Sequence, residues 1–266
     1  MAVLKIKYLA TTTKMQMHFS VFLPDAAVCD LGRGTGAKLK VLWLLHGEGG
    51  DCTDWLRLSM IEHHADKAGV ALVMPNMDNS MYMDMAHGGY PYFTYLAEDL
   101  PAHVRDLISL LSDRREDNAV AGVGAGGYGA LKWALRAPRM FSACACLSGE
   151  VDMAAALLDW EQRGELTSGR VAAFGSADRF AGSADDILAL ARSHADKGEP
   201  SCRVHVINAA SDESRARNRD ASETLRRLGF DIRFRDDFDA SGWPLWDEQV
   251  RTLLLNPAAS SVKAVA

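Results

Sequence analysis

The residues best placed to do chemistry lie in one stretch, residues 118–140, with the sequence NAVAGVGAGGYGALKWALRAPRM. Its pattern predicts a short apolar strand over residues 119–123, a glycine-rich turn, and a helix over about residues 128–136. A tight turn between a strand and a helix presents backbone N–H groups at the helix N-terminus, where negative charge is stabilised. The chemistry expected here is therefore the binding of an anion or of a developing negative charge.

Two motifs use this arrangement, and they differ in what they need at position 124. The nucleophile elbow G-x-S-x-G is matched in spacing by Gly122, Gly124 and Gly126, with glycine where the serine should be. The dinucleotide fingerprint G-x-G-x-x-G is matched by Gly122, Gly124 and Gly127, with Glu150 at the end of the next predicted strand. That fingerprint is a weak signal alone, and Glu150 lies beyond the usual ~20-residue distance. Nucleotide binding is therefore the minor alternative.

Composition narrows the function classes. The chain has 266 residues, 48% hydrophobic and 24% charged, with a formal net charge of −6. This charge gives no reason to expect nucleic acid or an anionic membrane as partner. The N-terminus lacks the apolar segment of a signal peptide, and no apolar run approaches the ~20 residues of a membrane span. Five cysteines without framework spacing favour buried free thiols over disulfides or a metal site, so we expect a cytoplasmic protein without a metal.

The rest of the chain alternates predicted strands with predicted helices, which is typical of a mainly parallel α/β sheet. We predict one domain over residues 1–255, a long loop over 77–92, a cap insertion over about 151–200, and a disordered tail over 256–266. The predicted strands cover residues 3–9, 15–23, 40–45, 70–74, 119–123, 142–147, 203–209 and 230–234. The predicted helices cover residues 54–68, 93–111, 128–136, 213–228 and 243–255.

Several short segments around the turn carry a resemblance. They are residues 44–51 (LLHGEGGD), 54–56 (DWL), 73–76 (VMPN), 96–101 (LAEDLP), 126–132 (GGYGALK), 147–149 (LSG), 174–175 (FG), Trp243 and Trp246. Together they resemble the α/β-hydrolase esterases of the esterase D and tributyrin-esterase kind, a group that includes relatives of the mycolyltransferases. The resemblance runs over about residues 1–255. It implies an α/β-hydrolase fold, with a mainly parallel central sheet flanked by helices, and no cofactor.

The resemblance also assigns roles by position. In this family a serine on the elbow attacks the ester carbonyl, a histidine takes its proton, an aspartate orients the histidine, and two N–H groups hold the oxyanion. The nucleophile position falls on Gly124, the acid on Asp212 and the histidine on Ser241. The oxyanion N–H groups would belong to Glu48 and Ala125.

The sequence departs from this pattern where the chemistry needs it most. Gly124 has no side chain to form an acyl-enzyme, and Ser241 cannot act as a base near neutral pH. The last histidine of the chain is His205, so none follows Asp212 and no triad in the order Ser, acid, His can form. The carboxylate of Glu48 would also oppose charge in an oxyanion site. Glycine takes elbow backbone angles without steric cost, so the fold should survive the loss.

Two functional hypotheses follow. The first is a pseudoenzyme that binds a small acyl or ester-like ligand, or a protein partner, within a homo-oligomer such as the family's members often form. The second is an ester hydrolase or other enzyme with a rearranged site, in which Asp212, Glu150, Glu48 and Asp239 converge at the carboxyl ends of the strands. Paired carboxylates can divide acid and base roles when their environments separate their pKa values. His87, in the long loop, could approach the same site.

Overall fold

A single mixed sheet positions the elbow. The computed structural model describes residues 1–25 and 38–255, except the side chain of Leu255, and within them the sheet has eight strands in the order β1-β2-β4-β3-β5-β6-β7-β8. The strands are β1 Ala2–Leu9, β2 Gln16–Leu23, β3 Lys40–Leu45, β4 Val70–Pro75, β5 Asn118–Val123, β6 Ala143–Leu147, β7 Arg203–Ala209 and β8 Ile232–Phe238. β1 and β2 form an antiparallel hairpin, and β2 pairs antiparallel with β4. The other pairs are parallel, which confirms the predicted α/β-hydrolase sheet.

Helices cover both faces of the sheet. They are α1 Asp54–Leu58, α2 Ile61–Ala68, α3 Tyr92–Thr94, α4 Leu100–Leu107, α5 Ala125–Arg136, α6 Met153–Arg163, α7 Ser168–Phe174, α8 Ala177–Phe180, α9 Ile187–Lys197, α10 Arg215–Arg227 and α11 Trp243–Leu255. Helices α4 to α10 contribute to the core on one face, and α1, α2 and α11 to the core on the other. Because parallel strands end at the same edge of a sheet, the segments that follow β3, β5, β6 and β7 meet beyond the carboxyl ends.

Several predicted bounds were wrong. The helix predicted over residues 54–68 is broken, because the N–H of Met60 donates to the carboxylate of Asp247 instead of to the preceding turn. The helix predicted over residues 93–111 has a π-helical turn at Tyr95–Asp99 and ends at Leu107. The helix of the elbow begins at Ala125, earlier than predicted.

The last strand was placed too early, at residues 230–234, whereas β8 runs over Ile232–Phe238. The sheet ends at this strand, and its residues from Phe234 onward are mostly half-buried or exposed, so a charged sequence is compatible with the strand. The predicted tail at residues 256–266 lies outside the described residues. Among those described, no helix has both the length and the apolar character needed to cross a membrane.

Candidate functional site

The turn between β5 and α5 has the backbone of an elbow. Gly124 lies there with φ 54° and ψ −120°, a backbone conformation that residues other than glycine adopt only with strain. Its N–H donates to the carbonyl of Leu147 (2.9 Å), and its carbonyl accepts from the N–H of Gly127 (2.9 Å). These bonds fix residue 124 between the ends of two neighbouring strands and the start of the helix.

The glycines on either side of Gly124 are required for a different reason. A Cβ at Gly122 would lie 2.1 Å from the carbonyl oxygen of Gly126, and a Cβ at Gly126 would lie 2.5 Å from that of His46. At Gly124, by contrast, the nearest atom to an added Cβ is the Cα of Gly47, at 4.0 Å. The elbow is therefore tightly packed except at residue 124, the predicted nucleophile position, which has room for a side chain that the sequence does not supply.

The two N–H groups predicted to hold an oxyanion have no acceptor among the described residues. Ala125 is the first residue of α5, and Glu48 lies in the turn that follows β3. That turn is held by the N–H of Gly50 on the carbonyl of Gly47 (3.2 Å) and by the N–H of Gly49 on the side-chain oxygen of Asn79 (2.7 Å). The geometry therefore leaves backbone donors available beside the empty position.

The carboxylate of Glu48 forms an ion pair. Arg170, on α7, donates to it at 3.0 Å, and the Arg170 guanidinium stacks over the ring of Trp160 on α6 at 4.2 Å. The expected repulsion between Glu48 and an anion is reduced because a cation neutralises the carboxylate. This ion pair also joins the turn after β3 to residues 151–200. No local sequence pattern indicates this ion pair, since its partners are 122 positions apart.

The buried ring of His46 supports the turn that follows β3. Its ring Nε2 accepts the N–H of Met77 (2.9 Å), which assigns the proton to Nδ1, and Nδ1 lies 2.8 Å from the carbonyl oxygen of Gly47. Burial lowers the pKa of His46 below its ordinary value, which keeps the imidazole neutral in this arrangement. The hydroxyl of Tyr82 donates to the carbonyl of His46 (2.7 Å). The long loop after β4 therefore buttresses the turn that carries Glu48.

The acid and histidine positions make separate contacts. Asp212 follows β7 and is half-buried; its carboxylate accepts the N–H of Ala209 (2.8 Å) and the side-chain amide of Asn208 (3.1 Å). Ser241 is exposed in the segment before α11, and its hydroxyl makes no hydrogen bond within the described residues. No hydrogen bond joins Asp212 to Ser241 or to Gly124. The carboxylate holds its own turn instead of orienting a base.

The residues of the rearranged-site hypothesis are not joined to one another by hydrogen bonds or ion pairs within the described chain. Glu150 forms a two-point ion pair with Arg217 (2.8 and 3.3 Å); burial raises the pKa of Glu150, and Arg217 opposes that rise. Asp239 is exposed after β8. His87 is exposed, and its backbone N–H donates to the carbonyl of Ala172 on α7. The ion pair with Arg217 also engages the Glu150 carboxylate, which the dinucleotide fingerprint would need for binding a ribose.

One polar contact was not foreseen from the sequence. Ser148, at the end of β6, has φ 50°, and its hydroxyl accepts the indole N–H of Trp246 on α11 (3.0 Å). Trp246 packs edge-on against Trp243, and Trp243 against Trp55 of α1, with centroid distances of 5.3 and 5.1 Å. The motif around Ser148 and both α11 tryptophans belonged to the resemblance, but nothing in the sequence showed that they meet.

Comparison with known proteins agrees with this geometry. A family model described as "Putative esterase" matches residues 10–234, most of the chain. The chain belongs to this esterase family. The elbow, the turn after β3 and strands β2 to β7 lie within the matched residues of this esterase-family chain.

Individual relatives span nearly the whole length. An acetyl esterase of Caldicellulosiruptor saccharolyticus is 24% identical over 255 residues, 94% of this chain and 96% of that protein. The solved structure of FphF, a fluorophosphonate-binding serine hydrolase of Staphylococcus aureus, has a TM-score of 0.85 and 28% identity, with 95% and 96% of the two chains covered. The S-formylglutathione hydrolase FrmB of the same organism has a TM-score of 0.83 and 28% identity, with 95% and 97% covered.

Proposed function

We propose that this esterase-family chain binds a small acyl or ester-like ligand at the elbow and does not turn it over as a serine esterase. The observation that carries the proposal is Gly124, which occupies the nucleophile position of an otherwise tightly packed elbow. Removal of triad groups leaves on the order of 10³–10⁴-fold acceleration over water from the oxyanion donors and binding alone. This remaining acceleration is far below what a working esterase needs.

The free donors beside Gly124 support binding. A ligand carbonyl oxygen or carboxylate could accept the N–H groups of Ala125 and Glu48, and the start of α5 favours negative charge there. The ion pair of Arg170 with Glu48 limits the repulsion that the Glu48 carboxylate would otherwise exert on such a ligand. The ligand is proposed to be acyl or ester-like because the similar proteins include an acetyl esterase and an S-formylglutathione hydrolase.

Restoring both missing groups tests the loss of chemistry. Hydrolysis of 4-nitrophenyl butyrate would be measured for the native protein, Gly124→Ser, Ser241→His and the double variant. We expect no hydrolysis above background from the native protein and both single variants. The double variant should hydrolyse at least about 100-fold faster, because a positioned base accelerates the reaction about 10²–10⁴-fold. Adding Asp212→Asn to the double variant is the matched control and should remove most of the gain.

Binding is tested without turnover. Calorimetry with 4-nitrophenyl butyrate would compare the native protein with Ala125→Pro, because proline is well tolerated at the first position of a helix and removes its N–H. We expect about fivefold weaker binding, the loss of roughly 1 kcal/mol for one hydrogen bond. Ala125→Ser keeps the N–H and serves as the control. Equal affinity in all three proteins would argue against a ligand at this place.

The rearranged enzyme remains the alternative proposal. It requires native hydrolysis that depends on Asp212 and Glu150, so activity in the native protein that is lost in Asp212→Asn and Glu150→Gln would favour it over the binding protein.

We further infer that the protein is a homo-oligomer in the cytoplasm, and a protein partner is the alternative to a small ligand at the elbow. The buried free thiols of Cys52, Cys144, Cys146 and Cys202 support a reducing compartment. Light scattering of the purified protein would test the oligomer directly.

A further inference from the structure

The helix that begins at the elbow, α5, carries a buried lysine that takes no part in the proposed ligand binding. Lys132, on α5, is 0% exposed. Its ammonium donates to the carbonyl of Tyr82 (2.5 Å), to the sulfur of Met83 (3.3 Å) and to the carboxylate of Asp185 (3.0 Å). These contacts use all the donors of an ammonium group. The nitrogen also lies 4.0 Å from the centroid of the Phe93 ring, in a cation–π contact.

The Tyr82 backbone, on which this ammonium acts, is strained. Met81 and Tyr82 have φ of 52° and 57°, a region that residues with side chains adopt only when their surroundings hold them there. The ring of Tyr82 lies against α5 at Gly129, where an added Cβ would be 2.4 Å from the Tyr82 Cγ. Lys132 therefore supplies a charged donor to the carbonyl of a residue whose conformation needs external support.

The same loop reaches the turn that carries Glu48. The hydroxyl of Tyr82 donates to the carbonyl of His46, the N–H of Met77 donates to the His46 ring, and Asn79 accepts the N–H of Gly49. A continuous set of contacts therefore runs from Lys132 through Tyr82 to the turn after β3. At its other end, Asp185 connects Lys132 to residues 151–200.

We propose that Lys132 is a positioning residue that acts through Tyr82 to set the Gly47–Gly49 turn, and so the Glu48 N–H, against Gly124, and that Asp185 makes this setting depend on residues 151–200. The inference rests on the proposed function only for the use of the Glu48 N–H. The experiment below probes the contacts of Lys132 in the free protein without a ligand, so either idea can fail without the other.

The groups around Lys132 determine the pH at which its ammonium loses a proton. Burial lowers the pKa of Lys132 to about 8, while Asp185 and, more weakly, Asp84 oppose that shift. Arg136, one turn along α5, adds to the lowering. The ring of Tyr128 also lies near the ammonium, at 5.3 Å from its centroid, and burial raises the pKa values of the Tyr128 and Tyr82 phenols well above the ordinary range, so they stay neutral.

The test is a pH titration of the free native protein followed by amide NMR. We expect the Gly49 and Met77 amide resonances to titrate with a midpoint near pH 8, because the Lys132 proton is removed there. Asp185→Asn should move that midpoint to lower pH, since the ammonium loses its carboxylate partner. Arg136→Met is the matched control, an exposed cation on the same helix whose nitrogen lies 3.9 Å from the same carboxylate. It should leave both resonances near their native positions and the midpoint at or slightly above its native pH.

Lys132→Met removes the ammonium and keeps most of the apolar stem. If it folds, the midpoint should vanish, and the Met77 and Gly49 amides should exchange with solvent about 10- to 100-fold faster, because the carbonyl of Tyr82 is left buried without a donor. Native resonances that show no midpoint near pH 8 would overturn the proposal. So would a midpoint that Asp185→Asn leaves unmoved, and this second result decides the question even if Lys132→Met does not fold.

Discussion

Replacing Gly124 by alanine should destabilise the protein only modestly, and the amount can be worked from the structure. With φ 54° and ψ −120°, a side chain at this position costs about 1–3 kcal/mol of backbone strain. The nearest atom to the added Cβ is 4.0 Å away, so no clash is added. Lower entropy of the unfolded chain returns about 0.4–1 kcal/mol. The expected net loss of unfolding free energy is therefore about 0–2.6 kcal/mol.

Gly122→Ala is the matched comparison, because the same methyl group would lie 2.1 Å from the carbonyl oxygen of Gly126 and backbone would have to move. We expect a loss above about 4 kcal/mol, or failure to fold, which is the range of severe core disruption. Urea unfolding at constant pH measures both free energies. If Gly124→Ala destabilised as much as Gly122→Ala, or if it stabilised the protein, the elbow described here would be wrong.

Three further outcomes follow from the contacts described. Burial lowers the pKa of His205 to about 4, so the unfolded chain binds the proton first and stability should fall by up to about 3 kcal/mol as pH drops from about 6.5 to 4. His205→Gln should flatten that slope and the exposed His18→Gln should not, as urea titrations at each pH would show. Lys132→Met should likewise abolish the rise in stability expected as pH increases above about 8, where the native lysine loses its proton before the unfolded one. Trp246→Phe and Ser148→Ala should each cost about 1 kcal/mol, with a coupling of similar size in the double variant, because they share one hydrogen bond.

The elbow and its sheet could be predicted because their signals are local. Strand β3 is a continuous apolar run bounded by polar residues, and the spacing of Gly122, Gly124 and Gly126 fixes a turn whatever lies around it. The prediction that the triad histidine is missing came from the order of the chain, since no histidine comes after His205. Each of these predictions needed only neighbouring residues or the order of the chain.

What the sequence did not predict depends on contacts between distant residues. The break between α1 and α2 is accompanied by a hydrogen bond from Met60 to Asp247, 187 positions away. A lysine in a helical pattern is ordinarily exposed, and only Asp185 together with the loop after β4 explains how Lys132 is buried. Arg170 could not be associated with Glu48 without the fold. Side-chain partners of this kind are set by packing, which local patterns do not encode.

The most direct test of the central claim is the intact mass of the native protein after exposure to a fluorophosphonate, which modifies an activated serine covalently. An unchanged mass is expected, because position 124 has no hydroxyl and no histidine is available to activate another serine in the family's order. The Gly124→Ser, Ser241→His double variant should gain one adduct under the same conditions. Addition of a phosphonyl group to the native protein would contradict the account and identify, by peptide mapping, the nucleophile that it fails to recognise.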